Sequence, residues 1–419
     1  MSKIKLSAVL ASSALTVNLL LPAASLAATP DVSENITQLV DYLKSQQDVD
    51  GKILGFGGET SWTIMGMVAA GVDPSTVETS GNSLLDFLAA NPPPDTATTG
   101  WERDLLAVAA AGENPFTFGG HNYVSKVQSF ASGGQIGSDT LVNDDIFGVL
   151  SLISTGPSAD QTVITGAVDF IINQQNPDGG WSYSTTLDSD NNDSAVAIMA
   201  LKAAQGAGFT NAGLDNAIDT GVSYLKSNQN PDGGWGYAGS GFSDGASTAW
   251  ALQALLGDDS VVSSGLNFLV SLQDASGGVQ YQAGFGADSF TSAYALSALA
   301  QVAFPVSSFE GTFEEPQEPP VDPDPSPEPP ADDDEGEVLS ENNNDDGDVL
   351  AASVLPNTAA GSLFPDIFPT QETAQQSSSL NPYLLALGMV VTTVGFVVSF
   401  TVKRLERYGK SERKVYEKA

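Results

Sequence analysis

Apolar residues recur at helical spacing from about residue 35 to 304, and the helices they predict come in pairs. FIINQQNPDGGW (170–181) and YLKSNQNPDGGW (224–235) are nearly the same, and each is followed by a second apolar stretch, DSAVAIMAL (193–201) and STAWALQAL (247–255). Weaker copies are YLKSQQDVDGKI (42–53) and FLVSLQDASGGV (268–279), the latter followed by TSAYALSAL (291–299). LLDFLAANPPPD (84–95) and YVSKVQSFASGG (123–134) are degenerate copies that fill the gap, so the region divides into six units of roughly 45 residues. In each unit a first helix ends at a turn built on Pro, Asp and Gly. The second helix then opens at Ser, Thr or Asp, which cap free backbone N–H groups.

The second helices are small and apolar on nearly every side, so they must be buried. Six of them, each with an outer partner, bury one another by closing into a ring. The expected fold class is therefore all-α, an α/α toroid of six helical hairpins over residues 34–304, with an open superhelix as the alternative. The toroid domain is expected to be monomeric.

The flanking segments read differently. Residues 1–27 have Lys3 and Lys5, an apolar run at 9–21 and small residues Ser25 and Ala27 before a cleavage point, which is the pattern of a signal peptide; an uncleaved anchor is the other reading. Residues 305–382 are acidic and Pro-rich, an expected disordered linker or stalk. Residues 383–402 carry no charge and match the length of a transmembrane helix. The tail, 403–419, holds seven Lys or Arg against three Glu, which places it in the cytoplasm and the domain outside the cell. Between residues 28 and 402 there are 48 acidic and six basic residues, a formal charge near −42 that excludes nucleic acid as a partner. The expected partners are the membrane, through the C-terminal helix, and an extracellular small-molecule, lipid-like or glycan ligand.

No cysteine is present, and His121 is the one histidine. Thiolate chemistry, disulfides and a multi-histidine zinc site are excluded, and His121 is read as structural. No cofactor and no metal is assigned. Asp188, Asp190 and Asn192 alternate like the start of an EF-hand loop, but Asp193 stands where Gly is needed and Met199 where the bidentate Glu belongs. The aligned second helices share a column of Trp62, Trp101, Phe147, Val196, Trp250 and Tyr294. Aromatics there either line an apolar cavity or pack between helices, which is the commoner arrangement. Glu59, Asp144 and Asp193, with Asp244 and Asp288 on nearby loops, would form an acidic mouth.

Gln175, Gly179 and Trp181, and again Gln229, Gly233 and Trp235, fit the QxxxGxW repeat, so residues 35–304 resemble the squalene and hopene cyclases, most closely their C-terminal domain, which are related to the prenyltransferase β subunits. The resemblance implies that each Gln ties its turn to the next helix while the Trp stacks on it, a stabilising role. It also implies a DxDD motif whose middle Asp protonates an alkene. The matching residues are Asp190-Asn191-Asn192-Asp193, with Asn192 at the donor position, and an amide cannot supply that proton. No cyclase activity on squalene-like polyenes is expected unless Asp190 or Asp193 substitutes. The zinc of the prenyltransferases and the thioester of complement-like toroids both need a Cys, which leaves the scaffold, as in the cobalamin-carrying toroids.

Two function classes follow. The first, preferred from the sequence, is a non-catalytic surface binding or adhesion module. The second is an enzyme, either a relative of the terpene cyclases or a glycan-acting hydrolase. In an enzyme the candidate acids are Asp190, Asp193, Asp244 and Asp288. Candidate ligand-binding residues are Trp62, Trp101, Phe147, Trp250, Tyr294, Asp144 and Asn192. Anchoring has two routes as well, since Leu355-Pro356-Asn357-Thr358-Ala359 resembles a sortase signal but stands 23 residues before the apolar span. A tag after Ala419 is expected to stay in the membrane fraction and to extract with mild detergent. Loss of the tag, with the domain freed by cell-wall digestion alone, would assign the sortase route.

Overall fold

The computed structural model describes residues 30–309, apart from 56–57, 157–160 and 240, so the predicted signal peptide, linker, transmembrane segment and tail lie outside the described residues. Among the described residues twelve α-helices alternate as the repeats predict. They are α1 (Ser33–Ser45) and α2 (Glu59–Ala69), α3 (Leu84–Ala90) and α4 (Thr98–Ala110), α5 (Tyr123–Gln128) and α6 (Val142–Ser154). Then follow α7 (Gln161–Asn173) and α8 (Asn191–Gly206), α9 (Leu214–Ser227) and α10 (Gly245–Ala254), α11 (Asp259–Ser271) and α12 (Ser289–Leu299). None is long and apolar enough to cross a membrane.

The even-numbered helices form the inner layer. α2 packs on α4, α4 on α6, α6 on α8, α8 on α10, α10 on α12, and α12 returns to α2, which closes the ring. Each outer helix rests chiefly on the inner helix of the preceding unit, and α1 accordingly packs on α12. The burial follows from composition. α10 and α12 bury every residue, whereas α9 exposes its Asp, Asn, Ser and Lys face and buries Leu214, Ala217, Ile218, Gly221, Tyr224 and Leu225.

The repeated Gln is the stitch between units. Gln175 Nε2 donates to Gly179 O in its own turn (2.8 Å) and to Ala217 O of the next outer helix (2.9 Å). Gln229 does the same with Gly233 O and Val261 O, and Gln47 with Gly51 O and Val77 O. Gln273 reaches back 238 residues in sequence to Asn35 O (3.0 Å), so the last unit holds the first by the bond that joins the others. The Trp indoles donate back to their own outer helix, Trp181 to Ile171 O and Trp235 to Leu225 O (2.7 Å each). Their rings reach Gly221 and Gly265 of the next outer helix, where a Cβ would stand 2.7 and 3.1 Å from the ring.

The degenerate second and third units have short outer helices. Two small hairpins, β1 (Glu78–Thr79) with β2 (Asn82–Ser83) and β3 (Ala131–Ser132) with β4 (Gln135–Ile136), occupy the turn space there, in antiparallel register Glu78↔Ser83 and Ala131↔Ile136. Beyond α12 the chain turns back into the ring. Phe304 is buried at its centre, Ser307 Oγ donates to Ala110 O at the end of α4 (3.0 Å), and Phe309 N donates to Ser154 O at the end of α6 (2.8 Å).

Two substitutions test these joints. Gln273→Ala removes the amide that serves Gly277 O and Asn35 O, and urea unfolding should show a loss of about 1–3 kcal/mol; an unchanged midpoint would mean that the ring does not depend on this bond. Gly233 has φ +92° and its added Cβ would lie 2.5 Å from Ser264 O, so Gly233→Val should cost more than about 1 kcal/mol.

Candidate active site

The inner helices all begin at one end of the ring, and their first turns carry the buried carboxyls. Asp190, Asp244 and Asp288 are the N-caps of α8, α10 and α12, accepting from Asp193 N (2.8 Å), Ser247 N (2.7 Å) and Thr291 N (2.8 Å). This places Asp244 and Asp288 on the helices' own caps rather than on separate loops. Glu59, Asp144 and Asp193 follow in the first turns of α2, α6 and α8, and all three are buried. Asp190 and Asp244 are buried too, and Asp288 is half-buried, so the acidic mouth is closed at all of these positions but that of α12.

The Asp190–Asp193 segment divides into four tasks. Asp190 caps α8, and Tyr237 of the next unit places its hydroxyl 3.4 Å from Asp190 Oδ2. Asn191 is fastened to that unit, with its N donating to Tyr237 O (2.7 Å) and its Nδ2 to Gly236 O (2.8 Å). Asn192 is fully buried, and neither atom of its amide has a hydrogen-bond partner in the protein. Asp193 is buried beside Asp190 with Oδ1 unpartnered. Burial pushes the Asp190 carboxyl well above the usual range, the Asp193 charge adds to this, and a side-chain hydrogen bond joins the two; burial raises Asp193 as well, to about 6. The same logic recurs in the fifth unit, where burial raises Asp244 to about 7 although Ser247 and the Tyr281 hydroxyl stabilise its charge.

A second carboxyl cluster, Glu102, Asp144 and Asp145, lies in the wall between α4 and α6, and of its members the sequence reading had marked Asp144 alone. Glu102 is fully buried with both oxygens unpartnered, and burial, with Asp144 and Asp145 nearby, raises it well above the usual value. Asp145 occupies the position held by Ser194, Thr248 and Ser292 in later units, whose hydroxyls accept from the backbone of Trp181, Trp235 and Val279. Its Oδ1 accepts from Ile136 N (2.8 Å), and burial raises it to about 8; Asp144 is raised to about 6.

The aromatic column splits. Trp62 meets Phe147 (6.0 Å between centroids), Trp250 (5.5 Å) and Tyr294 (5.2 Å) across the centre, and Phe304 packs on Trp62 and Trp250 from the C-terminal side (5.7 and 5.5 Å). These rings fill the middle of the ring as packing. Trp101 turns away from the others and packs on His121 and Tyr123 (6.0 and 5.0 Å), with Lys126 Nζ 5.6 Å from its centroid. A cleft of about 430 Å³ lined by Pro93, Asp95, Trp101, His121 and Lys126 opens there, so Trp101 belongs to a different place from the rest of its column. Aligning the units would have found Asn143 and Asp145; Glu102, Tyr237 and Phe304 carry no mark in sequence.

Residues 148–311 match the squalene-hopene cyclase C-terminal domain, so over this stretch the chain is a relative of that family, as the repeats indicated. Drimenyl diphosphate synthase of Streptomyces showdoensis is 35% identical over 91 residues, which are 21% of this chain and 16% of that enzyme. Among solved structures, ent-copalyl diphosphate synthase from Streptomyces platensis shares 18% identity at a TM-score of 0.43, covering 58% of this chain and 50% of its own. The type II terpene cyclase MstE from Scytonema shares 13% identity at a TM-score of 0.47, covering 65% and 98%. The chain thus spans a sixth of the synthase and half of the copalyl enzyme. A cyclase family and a diphosphate synthase as its relatives overturn the expectation of a non-catalytic binding or adhesion module. That reading gave most weight to Asn192 at the donor position and treated Asp190 and Asp193 only as possible substitutes.

The raised carboxyls set a pH dependence. Asp144, Asp145 and Asp244 bind protons more tightly folded than unfolded, so stability is fully present below pH 4 and is lost as pH rises through about 6, 7 and 8. Melting temperature should fall steadily from pH 5 to 8.5, and Asp145→Asn should flatten the upper part of that slope. A profile that rises over this range would contradict the placement of these groups.

Proposed function

We propose that the ring is an acid-initiated isoprenoid cyclase in which the Asp190–Asp193 pair is the proton source. The observation that supports this best is the buried carboxyl pair at the start of α8, both members raised by burial, within the stretch that matches the cyclase family. Alkene protonation needs a neutral carboxylic acid in a site of low dielectric, and burial supplies both. Asp190 passes its proton to Asp193, whose unpartnered Oδ1 presents it to the terminal double bond. The π pair forms the new C–H bond, the O–H pair remains on the carboxylate, and a tertiary carbocation results. Further double bonds close onto it, and loss of a proton ends the sequence and restores the acid. Asp244 and Asp288 cap helices in this reading and donate no proton.

The chain is further proposed to hold this domain outside the cell, with residues 383–402 as the anchor and 305–382 as the spacer; the uncharged span and the basic tail support that orientation. The test of the reaction is to incubate the purified chain with squalene, geranylgeraniol and geranylgeranyl diphosphate and to seek cyclic products by gas chromatography and mass spectrometry. Asp190→Asn and Asp193→Asn should each lower turnover by about 100-fold or more. Absence of cyclic product from all three substrates would overturn the reading.

A further inference from the structure

The cleft beside Trp101 lies away from the centre of the ring and plays no part in the chemistry proposed above. Its contents are unusual for this chain. Trp101, His121 and Lys126 line it together with Pro93, Pro94 and Asp95. Lys126 Nζ is 5.6 Å from the Trp101 centroid and 5.3 Å from that of Phe130, so an ammonium is held against two aromatic rings. Between residues 28 and 402 six basic residues stand against 48 acidic ones, which makes an aromatic cleft with a cation at its wall a local exception.

The domain itself shows what this cleft takes. Asp95, directly after three prolines, pairs with Lys126 (2.8 Å), and Pro94 O accepts from Trp101 Nε1 (3.0 Å). The Asp95 side chain is 89% exposed, so the pair is weak and exchangeable. The ammonium has three donors, and the exposed His121 ring offers a further N–H.

A segment of the same composition begins just beyond the described residues. Residues 316–325 read PQEPPVDPDP, with Glu318, Asp322 and Asp324 set among prolines. Such a sequence favours polyproline II, which docks in aromatic-lined grooves at low ordering cost. The way the chain leaves the ring brings it toward the cleft. Phe309 packs on Phe116 (6.4 Å between centroids). The loop that carries Phe116 runs on to Gly119, where an added Cβ would stand 2.6 Å from Ala89 O near the end of α3, and then to His121 in the cleft. Ser307 is bonded to Ala110, nine residues and about 14 Å along α4 from Trp101. The nine residues from Ser307 to Pro316 extend about 28 Å as polyproline II, so the segment reaches.

We propose that the cleft is the docking site of residues 316–325 of the same chain. Proline rings seat against Trp101 and His121, and an acidic side chain beside them takes Lys126 from Asp95. The acidic surface elsewhere repels this segment, which favours the cleft over other resting places. Tethering supplies an effective concentration in the millimolar range, so an intrinsic dissociation constant of about 1 mM gives about half occupancy. An association of this strength yields under load and leaves the bonds at Ser307 and Phe309 to carry a pull on the chain.

The full chain has no cysteine and a single histidine, which permits a one-distance test. In the detergent-solubilised chain, a nitroxide attached at Pro319→Cys should broaden the His121 ring signals in the NMR spectrum. Lys126→Glu should reduce that broadening by about threefold or more, and so should 1 M salt, where the Debye length falls to about 3 Å. The triple change Glu318→Gln, Asp322→Asn and Asp324→Asn should do the same with the cleft untouched, which keeps the test decisive if Lys126→Glu disturbs the fold. Asp95→Asn removes the competing carboxylate and should raise the docking constant by about two- to fivefold, an effect that a purely structural ion pair does not give. Absence of broadening with the unaltered cleft, or broadening that survives both Lys126→Glu and the triple change, would overturn the proposal. Broadening found only between chains, with the nitroxide on one and the observed histidine on another, would move the contact to a second copy and overturn it as well.

Discussion

An inner helix with no polar face cannot end at a free surface. α10 and α12 bury every residue, so each needs an inner neighbour on both sides and an outer helix behind it. A stack of six such units has two unsatisfied ends until the last meets the first, and the return of α12 to α2, with α1 laid on α12, removes both. The Gln273 bond to Asn35 fixes the register of that closure.

Burial within the ring also shifts the carboxyls. Carboxyls at helix N-termini ordinarily stay ionised, since backbone N–H groups stabilise the charge. Here Asp244 accepts from Ser247 and Tyr281 and is still raised, because desolvation by the surrounding helices outweighs those bonds. Asp190 carries the further burden of Asp193 beside it. The packed walls that stabilise the fold are thus what raises these N-cap carboxyls.

The sequence made the repeats, the turn glycines and the Gln stitch legible because they are local and recur at fixed spacing. Gln175 and Gln229 do what their positions implied, and Gly233 takes the positive φ its turn required. The site was half legible. The aromatic column and the first-turn acids were found by alignment of units, but the departure of Trp101 toward His121 depends on the irregular second and third units, where the outer helices are short. Spacing marked Asn192 as the donor position and left Asp190 and Asp193 as substitutes; that both neighbours are buried and raised follows from the packing around α8, which no spacing rule encodes. Phe304 fills the ring from a segment with no repeat signature at all.

The path of residues 301–309 has a mechanical meaning. The chain leaves the domain across the ends of α4 and α6, at the face opposite the carboxyls, after Phe304 has been set between Trp62 and Trp250. Tension on the chain beyond residue 309 is borne first by two backbone-directed bonds and then by a buried ring that has to be drawn out through the middle of six helices. The load would meet the domain along its own axis, as a cork resists its string, and would leave the carboxyl end facing away from the pull.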